Sequence, residues 1–416
     1  MKYSISVQEM TGRFLRYVAI NTQSDEESEN YPSTAGQLDL SRLLVDELQS
    51  MGLTDARLNE HGYVFASLPA TTAKEVPVIG LIAHVDTSPE VSGAAIKPIV
   101  HHNYRGGELV LPGAPSQVIR PEDNPALAGC IGHDLITTDG TTLLGADNKA
   151  GVAEIMTAVD FLVRHPEIAH GPIRVAFTVD EEVGNGTKYF DIEEFGAHYA
   201  YTIDGGTAGE MEDETFCADT VAITFGGINL HPGYARGKML NSQRLAAEFI
   251  DFLPKDTMTP ETTDNREGYI HLHSMTGSVE KTVLRYLIRD FTSEGLQEKE
   301  DLMRTVLTTL RKKYPQLVTQ FSVEEGYRNM KYVLDAHPQV SGHALEAISR
   351  AGLEPQRNAV RGGTDGARLC AMGVPTPNIF TGGHNFHSRL EWISIQDMEK
   401  AVETIVHLAA VWEERT

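Results

Sequence analysis

The chain is short of cysteine, of cationic charge and of long apolar runs, and each shortage excludes a class of protein. Cysteine occurs three times in 416 residues, at Cys130, Cys217 and Cys370. None belongs to a C-x-x-C pair, so the spacing points to neither a disulfide framework nor a thiolate zinc site. All three read as small buried residues. Lysine and arginine total 35 against 58 aspartates and glutamates, a formal net charge of −23. That balance argues against a nucleic-acid surface and against anionic membranes, while leaving room for a local cationic pocket. No stretch approaches the roughly 18–20 apolar residues of a membrane span. The opening Met1-Lys2-Tyr3-Ser4-Ile5-Ser6 lacks the charged-then-apolar build of a secretion signal, so the expected compartment is the cytoplasm. Repeats and low-complexity segments are absent as well.

What remains is an ordinary globular composition, 41% hydrophobic and 22% charged, in a chain too long for one core. Two domains are expected. In the first half, strand-like and helix-like segments alternate, the pattern of an α/β fold. Residues 38–51 have helical apolar spacing closed by Gly52, and 76–83 reads as a buried strand. Residues 88–140 are rich in glycine, proline and turn signals and read as a loop and hairpin excursion. A helix is expected over 151–165, stopped by Pro166, and short strands over 173–179 and 199–203.

Near Phe216 the character changes. From there to about Tyr327 the order is strand (219–225), helix (242–253), two strands (268–274 and 282–291), helix (296–314) and strand (317–323). This βαββαβ order is that of a ferredoxin-like module inserted into the first domain. The expected boundaries are therefore 1–215 for the first part of the larger domain, 216–327 for the insert, and 328–416 for the remainder. The last part reads as a helix (340–351), a glycine-rich loop, a strand (376–380) and a final helix begun at Ser394, with Asp397 three residues on as in a capping box.

Five places put metal-type ligands just past an apolar strand or just before a helix. They are His84 with Asp86; Asp147; the pair Glu181-Glu182; Asp204; and His387, with His384 three residues before it. In open α/β sheets the carboxyl ends of the strands form the crevice where ligands sit, so scattered segments can converge there. His84 and Asp86 share one side of a strand, because its period is two. A carboxylate so placed can hold one imidazole nitrogen and leave the other for a metal. Imidazole and carboxylate without thiolate suit a catalytic ion such as zinc, cobalt or manganese.

Charge counting favours two ions over one. A bridging aspartate, a second aspartate, a glutamate and a bridging hydroxide sum to four negative charges, which two dications balance. One dication would leave a costly buried excess. Glu181 and Glu182 project in different directions, so one can bind metal while the other faces the water as general base.

Taken together, His84-Val85-Asp86-Thr87-Ser88, Gly145-Ala146-Asp147-Asn148-Lys149-Ala150-Gly151, Thr202-Ile203-Asp204-Gly205-Gly206, His231-Pro232-Gly233 and Arg361-Gly362-Gly363-Thr364-Asp365-Gly366 resemble the co-catalytic zinc peptidases. That family includes carnosinase-type dipeptidases, glutamate carboxypeptidases and aminoacylases, and the resemblance covers nearly the whole chain. It implies a zinc-exopeptidase-like α/β/α catalytic domain with an inserted ferredoxin-like α+β domain, which serves as lid and as dimerisation surface. It implies two zinc ions, with cobalt or manganese as alternatives. His84, Asp147 and Asp204 would hold one and Asp147, Glu182 and His387 the other, with Asp147 bridging. Glu181 falls at the general-base position and Asp86 at the position that orients His84.

The family pattern of a histidine followed by a glutamate, here Glu391, selects His387 over His384. It also implies a cis peptide at Asp147-Asn148. His231, Asn241 and Arg289 fall where relatives place oxyanion and substrate contacts. Arg361 is a further candidate, since arginine suits bidentate capture of a peptide carboxylate. His101-His102 and the His271/His273 pair read as surface or packing residues.

The implied activity is removal of the N-terminal residue from short peptides, tripeptides foremost. A dipeptidase, a carboxypeptidase or an N-acyl amino acid deacylase on the same frame is the alternative. A non-catalytic metal- or peptide-binding protein is the alternative of another class. Short peptides are the expected partners, with no nucleic acid and no membrane, and a homodimer is what the family's habit implies.

Overall fold

The computed structural model describes residues 3–416 and divides into two compact units. One comprises the described residues up to Asp213 with Val333–Asn358 and Met372–Thr416. The other comprises Glu214–Tyr332 with Ala359–Ala371.

The larger unit is built on an eight-stranded sheet. Its strand order is Arg57–Leu58, Val64–Leu68, Ile173–Thr178, Ile79–His84, Tyr199–Gly205, Asn378–Phe380, Glu210–Thr215 and Gln356–Val360. The centre is parallel: Ile79–His84 lies between Ile173–Thr178 and Tyr199–Gly205, with Ile79 level with Ile173 and Tyr199. Every residue of Ile79–His84 is buried, which explains its unbroken apolar run. A parallel strand covered on both faces has no solvent side to alternate toward. The register ends with His84 beside Thr178. The residues that follow each strand, Asp86 on one and 180–182 on the other, therefore leave the sheet at the same level.

The helix Ala146–Arg164 packs across Ile79–His84 and Tyr199–Gly205, and also against the helices Val7–Val18 and Ile395–Arg415. It is buried along nearly its whole length. A second, four-stranded antiparallel sheet runs Gly383–His384, Trp392–Ser394, Leu135–Thr137, Ile99–His101. Its first two strands form the hairpin that carries His387, and Leu135–Thr137 leads toward the Asp147 helix. The excursion over 88–140 contributes the other two strands of this sheet and a separate hairpin of Leu109–Val110 with Val118–Ile119.

The smaller unit follows the expected βαββαβ order. Cys217–Gly226, Tyr269–Gly277, Lys281–Asp290 and Val318–Glu325 form one antiparallel sheet, in the order second, third, first, fourth. Val221, Ile223 and Phe225 alternate with outward residues and meet Leu284, Tyr286 and Ile288 in one core with the helices Ser242–Phe252 and Ser293–Lys313. The period-two pattern thus places one apolar face under both helices.

The smaller unit starts two residues earlier and ends five residues later than the expected 216–327, and a larger difference lies in 328–416, all of which the sequence reading gives to the larger domain. Ala359–Ala371 belongs to the smaller unit, for two visible reasons. Arg361 donates to the carbonyls of Asn265 and Glu267, 2.8 Å each. Gly363 lies against the Tyr327 ring so closely that a Cβ there would come within 2.5 Å of it. The helix Asp365–Ala371 also stands where the sequence reads as a glycine-rich loop.

Gly151 sets how near the long helix approaches the sheet. A Cβ at this position would stand 1.9 Å from the Ile203 carbonyl oxygen, and backbone cannot give way as a flexible side chain can. Gly151→Ala should lower stability by about 3 kcal/mol, read as a drop in the denaturation midpoint. Gly342, in the helix Pro338–Arg350, has nothing within 4 Å of the point where a Cβ would stand. Gly342→Ala should stabilise the chain by about 0.5–1 kcal/mol, read as a rise in the same midpoint.

Candidate dinuclear metal centre

Two groups of three ligand-type side chains meet around Asp147. His84, Asp147 and Asp204 form one, and Asp147, Glu182 and His387 the other; within each, one ligand atom per residue lies within 4.8 Å of the rest. Asp147 Oδ1 is 3.0 Å from His84 Nε2, and its Oδ2 is 3.3 Å from His387 Nε2. His84 Nε2 is also 3.5 Å from Asp204 Oδ1, and His387 Nε2 is 2.7 Å from Glu182 Oε2. One carboxylate thus turns one oxygen to each group.

The chain reaches this geometry by several local devices. His84 and Asp204 stand at the ends of neighbouring parallel strands. Asp147 lies in the first turn of the long helix but is not helical, with φ −84° and ψ 103°, and its bond to Asn148 is cis. Glu391 holds the approach to that turn. Its Oε2 accepts from the backbone N–H groups of Leu144 (2.6 Å) and Gly145 (2.8 Å), and its Oε1 from that of Asp147 (3.1 Å). A buried carboxylate taking three amide donors fixes a loop firmly. The glutamate that marks the sequence pattern is therefore the residue that orients Asp147. His387 itself has φ +57°, as does Asn385, whose side chain donates to Asn124 Oδ1 and to the Leu390 carbonyl.

Asp86 does more than the sequence suggests. His84 Nδ1 lies 3.1 Å from the Asp86 carbonyl oxygen and 3.3 Å from its Oδ1, so the imidazole is held as expected. The carboxylate also accepts from the backbone N–H of Glu181 (3.0 Å) and of Glu182 (3.1 Å). Two successive amides can face one carboxylate because Asp180 takes a left-handed conformation, φ +58°. Asp180 is pinned there by Ser33 and Gln37. The three acidic residues thus differ in what they do. Asp180 anchors the turn, Glu182 joins the ligand group, and Glu181 sits between them with its amide held.

The electrostatics are those of ligands awaiting cations. Burial alone would lower His84, yet Asp204, Asp147 and Asp86 hold it well above the usual imidazole range. Burial would likewise lower His387, but Asp147 and Glu182 push it up to about 11. Burial and the Asp147 charge push Glu182 up to about 8. Asp147, which burial would raise, is held well below the carboxylate range by His387 and His84. Glu182 Oε1 is buried with no hydrogen-bond partner, a costly state that an ion would relieve. The residues present therefore fit two divalent cations of the kind that nitrogen and oxygen donors favour.

The other sequence candidates lie in the smaller unit. His231 is exposed and accepts from the Gly233 N–H. Asn241 caps the helix Ser242–Phe252 through Gln243 N and lines a groove of ≈ 870 Å³ with Arg236, Arg244 and Glu248. Arg289 donates to the Ile288 carbonyl and lies 5.7 Å from the Tyr327 ring centre. Arg361 is engaged by the carbonyls noted above and by Thr263, and packs over Phe216. In the larger unit, His384 stacks on Trp392, and burial pushes it down to about 4, which suits a neutral packing residue. Two neighbours of the centre escape the sequence reading. Glu90 Oε2 stands 3.6 Å from His387 Nδ1. Lys149 is fully buried with its Nζ on the Ile20 carbonyl; its place beside Asp147 in the motif is the available signal.

Comparison with known proteins places this geometry. Over 409 residues the chain is 49% identical to the peptidase T of Geobacillus thermodenitrificans, covering 98% of this chain and 99% of that protein. The crystal structure of the aminopeptidase PepT from Bacillus cereus matches with a TM-score of 0.77 at 22% identity, over 98% of this chain and 99% of that one. A Bacillus subtilis structure described as a dinuclear metal-binding peptidase from the M20 family matches with a TM-score of 0.65 at 14% identity, over 99% of each. Residues 138–411 match the model of peptidase family M20/M25/M40, and this chain belongs to that family.

Proposed function

We propose that the chain is a dinuclear metallo-aminopeptidase that removes the N-terminal residue from tripeptides. The observation that carries this reading is Asp147 shared between two ligand groups, with Glu181 held beside one of them. The relatives of like sequence named peptidase T support the substrate class. His84, Asp147 and Asp204 would hold one ion and Asp147, Glu182 and His387 the other. Zinc is the proposed metal, since imidazole and carboxylate donors in a site with open positions suit it. When bound, the ions supply Lewis acidity for the scissile carbonyl and lower the pKa of the attacking water.

The chain's own residues do the rest. Glu181 takes the proton from the attacking water and returns it to the amine nitrogen of the leaving peptide. Asp86 fixes the backbone on which Glu181 and Glu182 ride, and also the ring of His84. In the smaller unit, His231 is assigned to oxyanion stabilisation, and Asn241 and Arg289 to the peptide backbone and carboxylate. Arg361 has a competing use, because its guanidinium already ties residues 263–267 to its own segment. We assign that unit the part of lid and gauge of peptide length. Among the described residues no helix is long and apolar enough to cross a membrane, and three free, buried cysteines accord with the reducing cytoplasm where we place the enzyme. Assembly as a homodimer is proposed through the smaller unit, where Tyr269–Gly277 forms a sheet edge with Met275 exposed.

Glu181→Gln should retain two ions per chain by elemental analysis while kcat falls roughly 10²–10⁴-fold; full turnover in this variant would remove the general base from the scheme. Asp86→Ala should lose more activity than metal, since it frees the Glu181 backbone. Asp147→Ala should lose both ions together. A panel of di-, tri- and tetrapeptides and N-acetyl amino acids, with products read by mass spectrometry, separates the substrate readings. Release of the first residue from tripeptides alone is expected. Cleavage confined to dipeptides, to C-terminal residues or to N-acyl amino acids would transfer the frame to the corresponding hydrolase.

A further inference from the structure

A third group of metal-type donors shares no residue with the dinuclear centre. Cys130, His133 and Asp397 each offer a ligand atom within 4.8 Å of the others. Cys130 Sγ is 3.8 Å from Asp397 Oδ2. His133 Nδ1 is 3.9 Å from Asp397 Oδ1 and 2.9 Å from Ser394 Oγ. Thiolate, imidazole and carboxylate around a tetrahedral zinc, with bonds of about 2.3 Å to sulfur and about 2.0 Å to nitrogen or oxygen, require ligand edges of about 3.3–3.5 Å. To reach those edges the Cys130–Asp397 separation would close by about 0.3 Å and the His133–Asp397 separation by about 0.6 Å.

The local structure presents these donors together. Cys130 and His133 flank a turn in which the His133 N–H donates to the Cys130 carbonyl oxygen, 2.9 Å. Gly132 closes that turn at φ +88°, a conformation that glycine adopts without penalty. Asp397 lies in the first turn of the helix Ile395–Arg415, its N–H held by the capping oxygen of Ser394. Cys130 is buried, whereas the His133 side chain is 27% exposed. An ion or a fourth, water ligand can therefore reach the site from the histidine side.

Burial and then the Asp397 charge push the Cys130 thiol up to about 12, and burial raises Asp397 as well. Glu154, on the neighbouring helix Ala146–Arg164, is fully buried with both carboxyl oxygens unpartnered. Burial raises it, and Asp397 raises it further. A dication bound by Cys130, His133 and Asp397 would release the thiol proton to solvent.

We propose that Cys130, His133 and Asp397 bind a divalent transition metal of the zinc or cobalt class, as a structural site apart from the dinuclear centre. Sulfur with nitrogen and one oxygen excludes magnesium and calcium as its natural occupants. Cys130 is free and buried, as the sequence suggests, and the proposal adds a ligand role to it. Its consequence lies nearby. Asn124, six residues before Cys130, accepts from Asn385 Nδ2 and Trp392 Nε1. An ion joining Cys130 and His133 to Asp397 therefore clamps the excursion onto the helix that follows the His387 hairpin.

The test uses full-length enzyme loaded with cobalt(II) and read by its near-ultraviolet spectrum. A thiolate-to-cobalt charge-transfer band reports this site alone, because the dinuclear ligands include no sulfur. The expected result is that band in the unaltered protein, with one more ion per chain than Cys130→Ser retains by elemental analysis. His133→Ala, altered on the open flank, should weaken binding of that ion roughly tenfold or more. The variant keeps the test decisive if Cys130→Ser does not fold. Absence of the band in the cobalt-loaded protein, with Cys130 protonated and donating to Asp397, would overturn the proposal. So would a band that survives Cys130→Ser or an affinity unchanged in His133→Ala.

Discussion

A largely buried carboxylate with a histidine on each oxygen is the constraint around which the larger unit is arranged. Asp147 meets His84 through Oδ1 and His387 through Oδ2, and the two histidines come from opposite ends of the chain. Such a group is tolerable only if positive charge accompanies it. Here the acidic neighbours raise both imidazoles above their ordinary range. The stability of the fold and the capacity to bind metal are thus two descriptions of one charge balance.

The surrounding structure serves mainly to aim that carboxylate. Three backbone amides bind Glu391, which fixes the turn carrying Asp147. Two more bind Asp86, which fixes the turn carrying Glu181 and Glu182. In both cases an acidic side chain grips the backbone of the segment that bears another acidic side chain. The parallel register delivers His84 beside Thr178 at the same carboxyl edge, and Gly151 lets the Asp147 helix lie almost on the Asp204 strand. A first layer of ligands held by a second layer of buried hydrogen bonds is how proteins keep like charges together at fixed positions.

Much of this is legible in the sequence, for identifiable reasons. Ile79–His84 announces itself by an uninterrupted apolar run, as a strand buried on both faces must. The smaller unit is legible because its strands alternate cleanly over one core. The ligands are legible because each follows a strand or opens a helix. Other elements are hidden. Glu210–Thr215 is a strand of mostly acidic residues, and its side-chain chemistry contradicts strand propensity. The helix Val7–Val18 buries Met10, Phe14 and Tyr17, but the sequence reading assigns it no element. The double duty of Asp86 depends on Asp180 adopting a positive φ, and the attachment of Ala359–Ala371 depends on Arg361 reaching carbonyls nearly a hundred residues away. Neither leaves a periodic trace.

The central claim is that Asp147 joins two ions. Anomalous scattering at the zinc absorption edge, from crystals grown with zinc, addresses it directly. Two peaks flanking the Asp147 carboxylate about 3.5–4 Å apart are expected, one within bonding distance of His84 and Asp204 and the other of Glu182 and His387. A single peak, or two peaks that Asp147 does not touch together, would contradict it.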